Sequence, residues 1–141
     1  MKPVPKKRQR SGHKPPEVKT KLLIIDDDPV SACLLRDYLG KVKGFEVLTA
    51  ETGIEGIRMA VEHVPDLILV DFRLVDMSGL EVHEHLRQNP TTKDIPVIYS
   101  SSFLTLRTIE QATRKGAKGF ISKPFTPSEI YTKVATALSS P

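Results

Sequence analysis

The chain has 141 residues, of which 39% are hydrophobic and 27% charged, a composition that suits one globular domain with its own core. No apolar run approaches the roughly 20 residues that span a bilayer, and the basic N-terminus lacks the apolar stretch of a secretory signal. The net charge of +4 belongs to one end: residues 1–20 carry seven basic side chains and one acid, Glu17, whereas residues 21–141 carry 14 basic and 16 acidic ones. Pro3, Pro5, Pro15 and Pro16, with almost no apolar neighbours, make 1–19 a flexible basic extension that cannot bury a core. The domain proper is expected over 20–141. The KKRQR run at Lys6–Arg10 suits a nucleic-acid or acidic-surface arm, although a plain solvated leader explains it as well. Elsewhere nucleic acid is not expected as a partner. The one cysteine, Cys33, forms no internal disulfide, which suits a reducing cytoplasm. Its place in a helical pattern reads as a buried thiol.

From Thr20 onward the pattern alternates. Leu22–Ile25 reads as a short buried strand. Pro29–Gly40 reads as a helix whose apolar residues Val30, Cys33, Leu34 and Tyr38 recur at three- and four-residue spacing. Phe45–Thr49 is a second strand, and Gly53–His63 a helix carrying Ile54, Ile57, Met59 and Val61. Leu67–Val70 is another continuous apolar strand, ending on Asp71. Ser78-Gly-Leu-Glu81 forms a capping box that opens a helix reaching about Gln88. Ile95–Tyr99 is a strand, about Thr105–Lys115 a helix and Gly119–Ser122 a fifth strand. Thr126-Pro-Ser-Glu129 caps a last helix bearing Ile130, Val134, Ala137 and Leu138.

Five βα units follow one another. Strands that are continuously apolar, rather than alternating, belong to a sheet covered on both faces, hence parallel. Right-handed crossovers then give an open doubly wound α/β sheet. In such sheets ligands sit beyond the carboxyl ends of the strands. The polar signals fall there: Asp26 and Asp27 after the first strand, Asp71 after the third, Ser100, Ser101 and Ser102 after the fourth, and Lys123 after the fifth. Carboxylates brought together repel unless a cation shares the space. A hard divalent ion such as Mg2+ suits oxygen ligands and leaves positions open for phosphate oxygens. A lysine ammonium and a serine hydroxyl would hold further oxygens, and a central aspartate could be the nucleophile.

The stretches LLIIDDDP, DLILVDFRLVDMSGLEV (Asp66–Val82), IPVIYSS (Ile95–Ser101) and GAKGFISKPF (Gly116–Phe125) together resemble a two-component response regulator receiver domain. Taken in order they cover about residues 21–138. The resemblance implies a flavodoxin-like sheet of order 2-1-3-4-5 with helices on both faces. It implies that Asp71 accepts a phosphoryl group, and that Mg2+ is held by Asp26, Asp27, Asp71 and the backbone carbonyl of Arg73. Lys123 would contact the phosphoryl group and precede a cis bond to Pro124. Ser101 and Phe120 would be the switch residues, and their movement would re-present the surface of the fourth helix, fifth strand and fifth helix. Implied partners are a sensor histidine kinase or phosphotransfer protein, a downstream target or output domain, and a second copy in a phosphorylation-dependent homodimer. The chain reads equally as a stand-alone receiver or as part of a larger regulator. Val75 stands where the family usually has proline, and Phe120 lacks the hydroxyl of the commoner tyrosine. Arg73 and Phe103 hold variable positions flanking the site.

Two alternatives compete. Asp26-Asp27-Asp28-Pro29-Val30 after an apolar strand also fits the D-x-D-x-V motif of haloacid-dehalogenase-type phosphatases, with Asp26 as nucleophile and Asp28 as acid–base residue. That reading leaves Asp71 unexplained and lacks a late acidic pair, since Glu129 is the one acid after Lys123. A receiver-like interaction module that takes no phosphate is the other. Among the remaining candidates, Asp66 reads as local turn chemistry and Asp76 as solvated. His83 and His85, two apart on a helix, do not share a face. Asp28 precedes Pro29 and is placed to cap the helix rather than to bind metal.

Overall fold

The computed structural model describes residues 18–139; the expected basic extension therefore lies almost wholly outside the described residues. The strands are β1 (Lys21–Ile25), β2 (Glu46–Ala50), β3 (Leu67–Asp71), β4 (Val97–Ser101) and β5 (Gly119–Ser122). The helices are α1 (Pro29–Arg36), α2 (Gly53–His63), α3 (Gly79–Gln88), α4 (Leu106–Arg114) and α5 (Pro127–Ser139). All strand pairs are parallel, in the order β2-β1-β3-β4-β5. This is the expected doubly wound α/β sheet. Among the described residues, no helix is long and apolar enough to cross a membrane.

The continuous apolar strands follow from a core on each face. Leu23, Ile25, Ile68, Val70, Val97 and Tyr99 point to the side of Ala60, Val82, Leu86 and Ala112, from α2, α3 and α4. Their neighbours Leu22, Ile24, Leu67, Leu69, Ile98 and Ile121 point to the side of Leu35, Ile130, Val134 and Ala137, from α1 and α5. A strand residue on either face is thus removed from water, at about 1.5–3 kcal/mol for each large aliphatic side chain. The chain leaves β1 toward β2 on one side and toward β3 on the other. The carboxyl ends of β1 and β3 therefore open a crevice where the strand order reverses.

Caps fix the helix starts. Ser78 and Glu81 form the expected capping box at α3, and Thr126 and Glu129 exchange the same pair of bonds at α5. α4 gains one from Thr105 and Thr108.

Some expectations need correction. The inward face of α1 is Ala32 and Leu35, continued by Leu39, whereas Val30 and Leu34 are 65% and 62% exposed and Cys33 is exposed. The helix has two apolar stripes, and only one meets the sheet. α1 also stops at Arg36 and continues over Asp37–Val42 as a wider π-helical turn, with the Lys43 N–H reaching back five residues to the Tyr38 carbonyl. Lys43 then covers the Tyr131 ring of α5 at 4.3 Å. β4 begins at Val97 rather than Ile95 because Pro96 has no N–H to give to a ladder. β2 starts one residue later than expected, at Glu46. In α2, Ile54 is exposed and the buried contact is made by Gly53, Gly56 and Ala60.

Candidate functional site

β1 ends by delivering Asp26 into the interior, 3% exposed, and leaves Asp27 at the surface. The third aspartate does something else. Asp28 Oδ1 accepts the Val30 N–H at 3.1 Å and Asp28 Oδ2 accepts the Ser31 hydroxyl at 2.9 Å. The Ser31 bond first, then the Val30 bond, holds its carboxyl below the usual carboxylate range. Asp28 is the N-cap of α1. Asp26 Oδ1 in turn accepts the Asp28 amide at 2.9 Å, which orients the buried carboxylate.

β3 brings Asp71 alongside. Oxygens of Asp26, Asp27 and Asp71 lie within 4.8 Å of one another. Lys123, from the end of β5, extends its ammonium between two of them, 2.9 Å from Asp26 Oδ2 and 2.7 Å from Asp71 Oδ2. Burial pulls the lysine pKa down, but its bonds to Asp71 and Asp26 outweigh this and hold it above its ordinary value. The repulsion that the sequence raises is thus met within the chain at Asp26 and Asp71, and Asp27 is left as an exposed carboxylate. Three oxygen donors within a few ångströms, one of them solvent-facing, fit a hard divalent cation.

Backbone carries the rest. Asp71 Oδ1 accepts the Arg73 N–H at 3.2 Å, so the loop after β3 begins by wrapping its own aspartate. Gly79, the first residue of α3, lies so close that a Cβ there would sit 2.5 Å from the Asp71 carbonyl oxygen, so any larger residue forces the backbone to shift. The expected cis bond between Lys123 and Pro124 is present. Ser101 is buried, its hydroxyl accepting the Phe103 N–H at 3.0 Å. A pocket of about 250 Å³ opens over Asp71, Arg73, Ser101, Ser102 and Phe103, with the Phe103 ring 75% exposed at its rim. Phe120 is half-buried and stacks on Tyr99, ring centres 6.1 Å apart. A groove of about 470 Å³ runs beside Lys123, lined by Leu34, Leu35, Pro124 and Phe125 among others.

Four βα junctions therefore converge as the sequence implies, and other residues take part that sequence reasoning passed over. Asp76 is exposed yet not free: its carboxylate accepts the Gly53 and Ile54 N–H groups, at 2.8 and 2.9 Å, and ties the β3–α3 loop to the start of α2. Asp66 accepts the backbone N–H of Lys21, 45 residues away, at 2.8 Å; it joins β1 to the turn before β3 rather than serving its own turn. His83 is buried against Tyr99, whereas His85 is exposed, so the two histidines form no metal pair.

A model of the response regulator receiver domain matches residues 22–135. The chain belongs to this family. The polar-differentiation response regulator DivK of Brucella ovis is 34% identical over 105 residues, covering 74% of this chain and 85% of DivK. Chemotaxis protein CheY4 of Vibrio cholerae superposes with a TM-score of 0.81 at 24% identity, over 85% of this chain and 99% of CheY4. The receiver domain of sensor histidine kinase PA1611 from Pseudomonas aeruginosa, solved with a magnesium ion in its active-site cleft, gives 0.78 at 23% identity, over 87% and 100%. At these identities the two structures speak for the fold. The receiver is accordingly a signalling domain of two-component systems, and membership decides against the haloacid-dehalogenase alternative. Asp28, bound to α1, is also unavailable as an acid–base residue.

Proposed function

We infer that this receiver takes a phosphoryl group onto a carboxylate oxygen of Asp71 from the phosphohistidine of a sensor histidine kinase or phosphotransfer protein. The P–N bond of the donor breaks, a P–O bond to Asp71 forms, and the freed imidazole nitrogen takes a proton from solvent. The observation that carries this reading is the Lys123 ammonium 2.7 Å from Asp71 Oδ2, beside a carboxylate triad within 4.8 Å. Asp26, Asp27, Asp71 and the Arg73 carbonyl would hold Mg2+, the ion present in the PA1611 receiver. When bound it would offset the charge of the transferred oxygens. Lys123, already charged and already aimed, would hold one phosphoryl oxygen as a point charge. The Ser101 hydroxyl would leave the Phe103 N–H for another.

The apolar groove beside Lys123 and the exposed Val30 and Leu34 give a phosphodonor somewhere to seat. After transfer, the added charge and acceptor oxygens draw Ser101, and Phe120 follows by leaving or deepening its stack on Tyr99. The downstream target or output domain, or a second copy, then reads the surface of α4, β5 and α5. A cytoplasmic location suits such a donor. The test is labelling by a phosphohistidine donor and by acetyl phosphate: Asp71→Asn should abolish both, and undiminished labelling of that variant overturns the assignment. Leu34→Glu should slow only transfer from the protein donor.

A further inference from the structure

At the amino-terminal ends of β4 and β5, at the opposite end of the strands from Asp71, the structure has a second polar pocket of about 270 Å³. Its lining includes His83, Arg87, Lys93, Lys115 and Lys118, with Asp94 as the one acid among the described lining residues. Four cations face one carboxylate there, although Lys115 is also paired with Glu84 at 2.6 Å. Two features show that the pocket is built rather than a chance of surface charge. Arg87 donates to the Lys115 carbonyl at the end of α4, and Gly116, at φ +99°, leaves the room: a Cβ there would lie 3.1 Å from Arg87 Nη1. The guanidinium is therefore fixed at the pocket, with its remaining N–H groups free to point elsewhere.

The second feature is His83, 4% exposed. Its Nδ1 lies 2.8 Å from the Tyr99 hydroxyl. Tyr99 has no other acceptor among the described residues; with its O–H donating to Nδ1, the proton of the neutral ring sits on Nε2. Nε2–H has no protein partner among the described residues. A buried, unpartnered donor calls for an explanation, and here it belongs to a ring that lines a basic pocket. Burial, then the charges of Arg87 and Lys115, push this imidazole down to about 4, which also marks the local potential as positive.

We propose that this pocket is an anion site for a phosphate-sized dianion, whether the free ion or the terminal group of a small phosphomonoester, seated on the Nε2–H of His83 and clasped by Arg87 and Lys118. Guanidinium and ammonium groups bind such oxygens through short charge-assisted bonds. Occupancy fixes the tautomer: with Nε2–H donating to the anion, Nδ1 remains the acceptor for Tyr99, on whose ring Phe120 stacks. The site thus lies one residue beneath the aromatic switch position, and it stands whether or not Asp71 is phosphorylated.

The test is NMR of the full chain, following the imidazole of His83 and the amides of Gly116 and Lys118 while inorganic phosphate replaces chloride at constant ionic strength. Saturable shifts at these positions are expected, and the His83 pKa should rise from about 4. Lys118→Gln should weaken binding roughly tenfold, the loss of one charge-assisted contact, and Arg87→Gln similarly. Glycerol 3-phosphate is the second arm: matching shifts assign the site to phosphomonoesters in general, and shifts with phosphate alone to the free ion. Shifts that track ionic strength only, or that spare His83 and gather around Lys123, overturn the proposal. So does an unchanged affinity in Lys118→Gln.

Discussion

Asp26, Asp27 and Asp28 are consecutive and chemically identical, yet each faces a different partner: an ammonium, solvent, and the start of a helix. The division makes a sharp expectation. Asp28→Asn should leave Mg2+ affinity nearly unchanged, and asparagine caps a helix as well as aspartate does. Asp27→Asn should weaken Mg2+ at least about tenfold, since it deletes a carboxylate that no other described residue engages. Equal losses in a Mg2+ titration would remove the distinction. His83 supplies a pH effect. Its folded pKa of about 4 lies below the 6.5 of an unfolded histidine, so the unfolded chain binds more protons between those values. Stability is full above pH 6.5 and falls by about 2 kcal/mol as the pH drops toward 4. His83→Gln should flatten that part of a denaturation curve against pH. The placement of Asp26 and the capping role of Asp28 were legible because proline marks a helix start and an apolar strand must end somewhere. The burial of His83 was not: a lone histidine on a helix carries no sign of the tyrosine it will meet across the sheet.

The helices show where periodicity stops being informative. α1 carries Val30, Cys33 and Leu34 on one side and Ala32 and Leu35, continued by Leu39 of the following turn, on the other, and spacing alone cannot say which stripe the sheet will cover. The π-helical turn at Asp37–Val42 is invisible for a related reason, since the apolar pattern presumes a constant 3.6-residue turn. α2 was bounded correctly, and Ile57 and Met59 pack against the core as expected, but its fully buried positions are Gly53, Gly56 and Ala60, residues that a search for large apolar side chains passes over. Its end carries strain. Val64, a β-branched residue, sits at φ 45° as the C-cap, a conformation costing about 1 kcal/mol or more. Val64→Asn should relieve it and raise the melting temperature; a lower one would mean that the valine side chain contributes more than its backbone costs. Gly79→Ala should act the other way. With its Cβ pressed on the Asp71 carbonyl, the start of α3 must move, at about 1–3 kcal/mol, and the loss should appear both in thermal unfolding and in slower labelling of Asp71.

At the scale of the whole molecule the order of strands was legible because right-handed crossovers leave few ways to stack five βα units, and the receiver motifs selected one. What no local pattern holds is the distance along the chain that the site has to bridge. Lys123 reaches Asp26 across 97 residues and Asp71 across 52. Those bonds close the chain from its first strand to its last, so they exist only after β5 has joined the sheet. In the unfolded chain the loop-closure entropy keeps Asp26, Asp71 and Lys123 apart. A cation that binds the carboxylates therefore acts on the entire folding equilibrium. Above its Kd, each tenfold rise in Mg2+ should add about 1.4 kcal/mol to global stability. With no tryptophan in the sequence, circular dichroism or calorimetry is the suitable readout, and a melting temperature indifferent to Mg2+ would contradict it. Lys123 is in this sense a clasp fastening the first strand to the last.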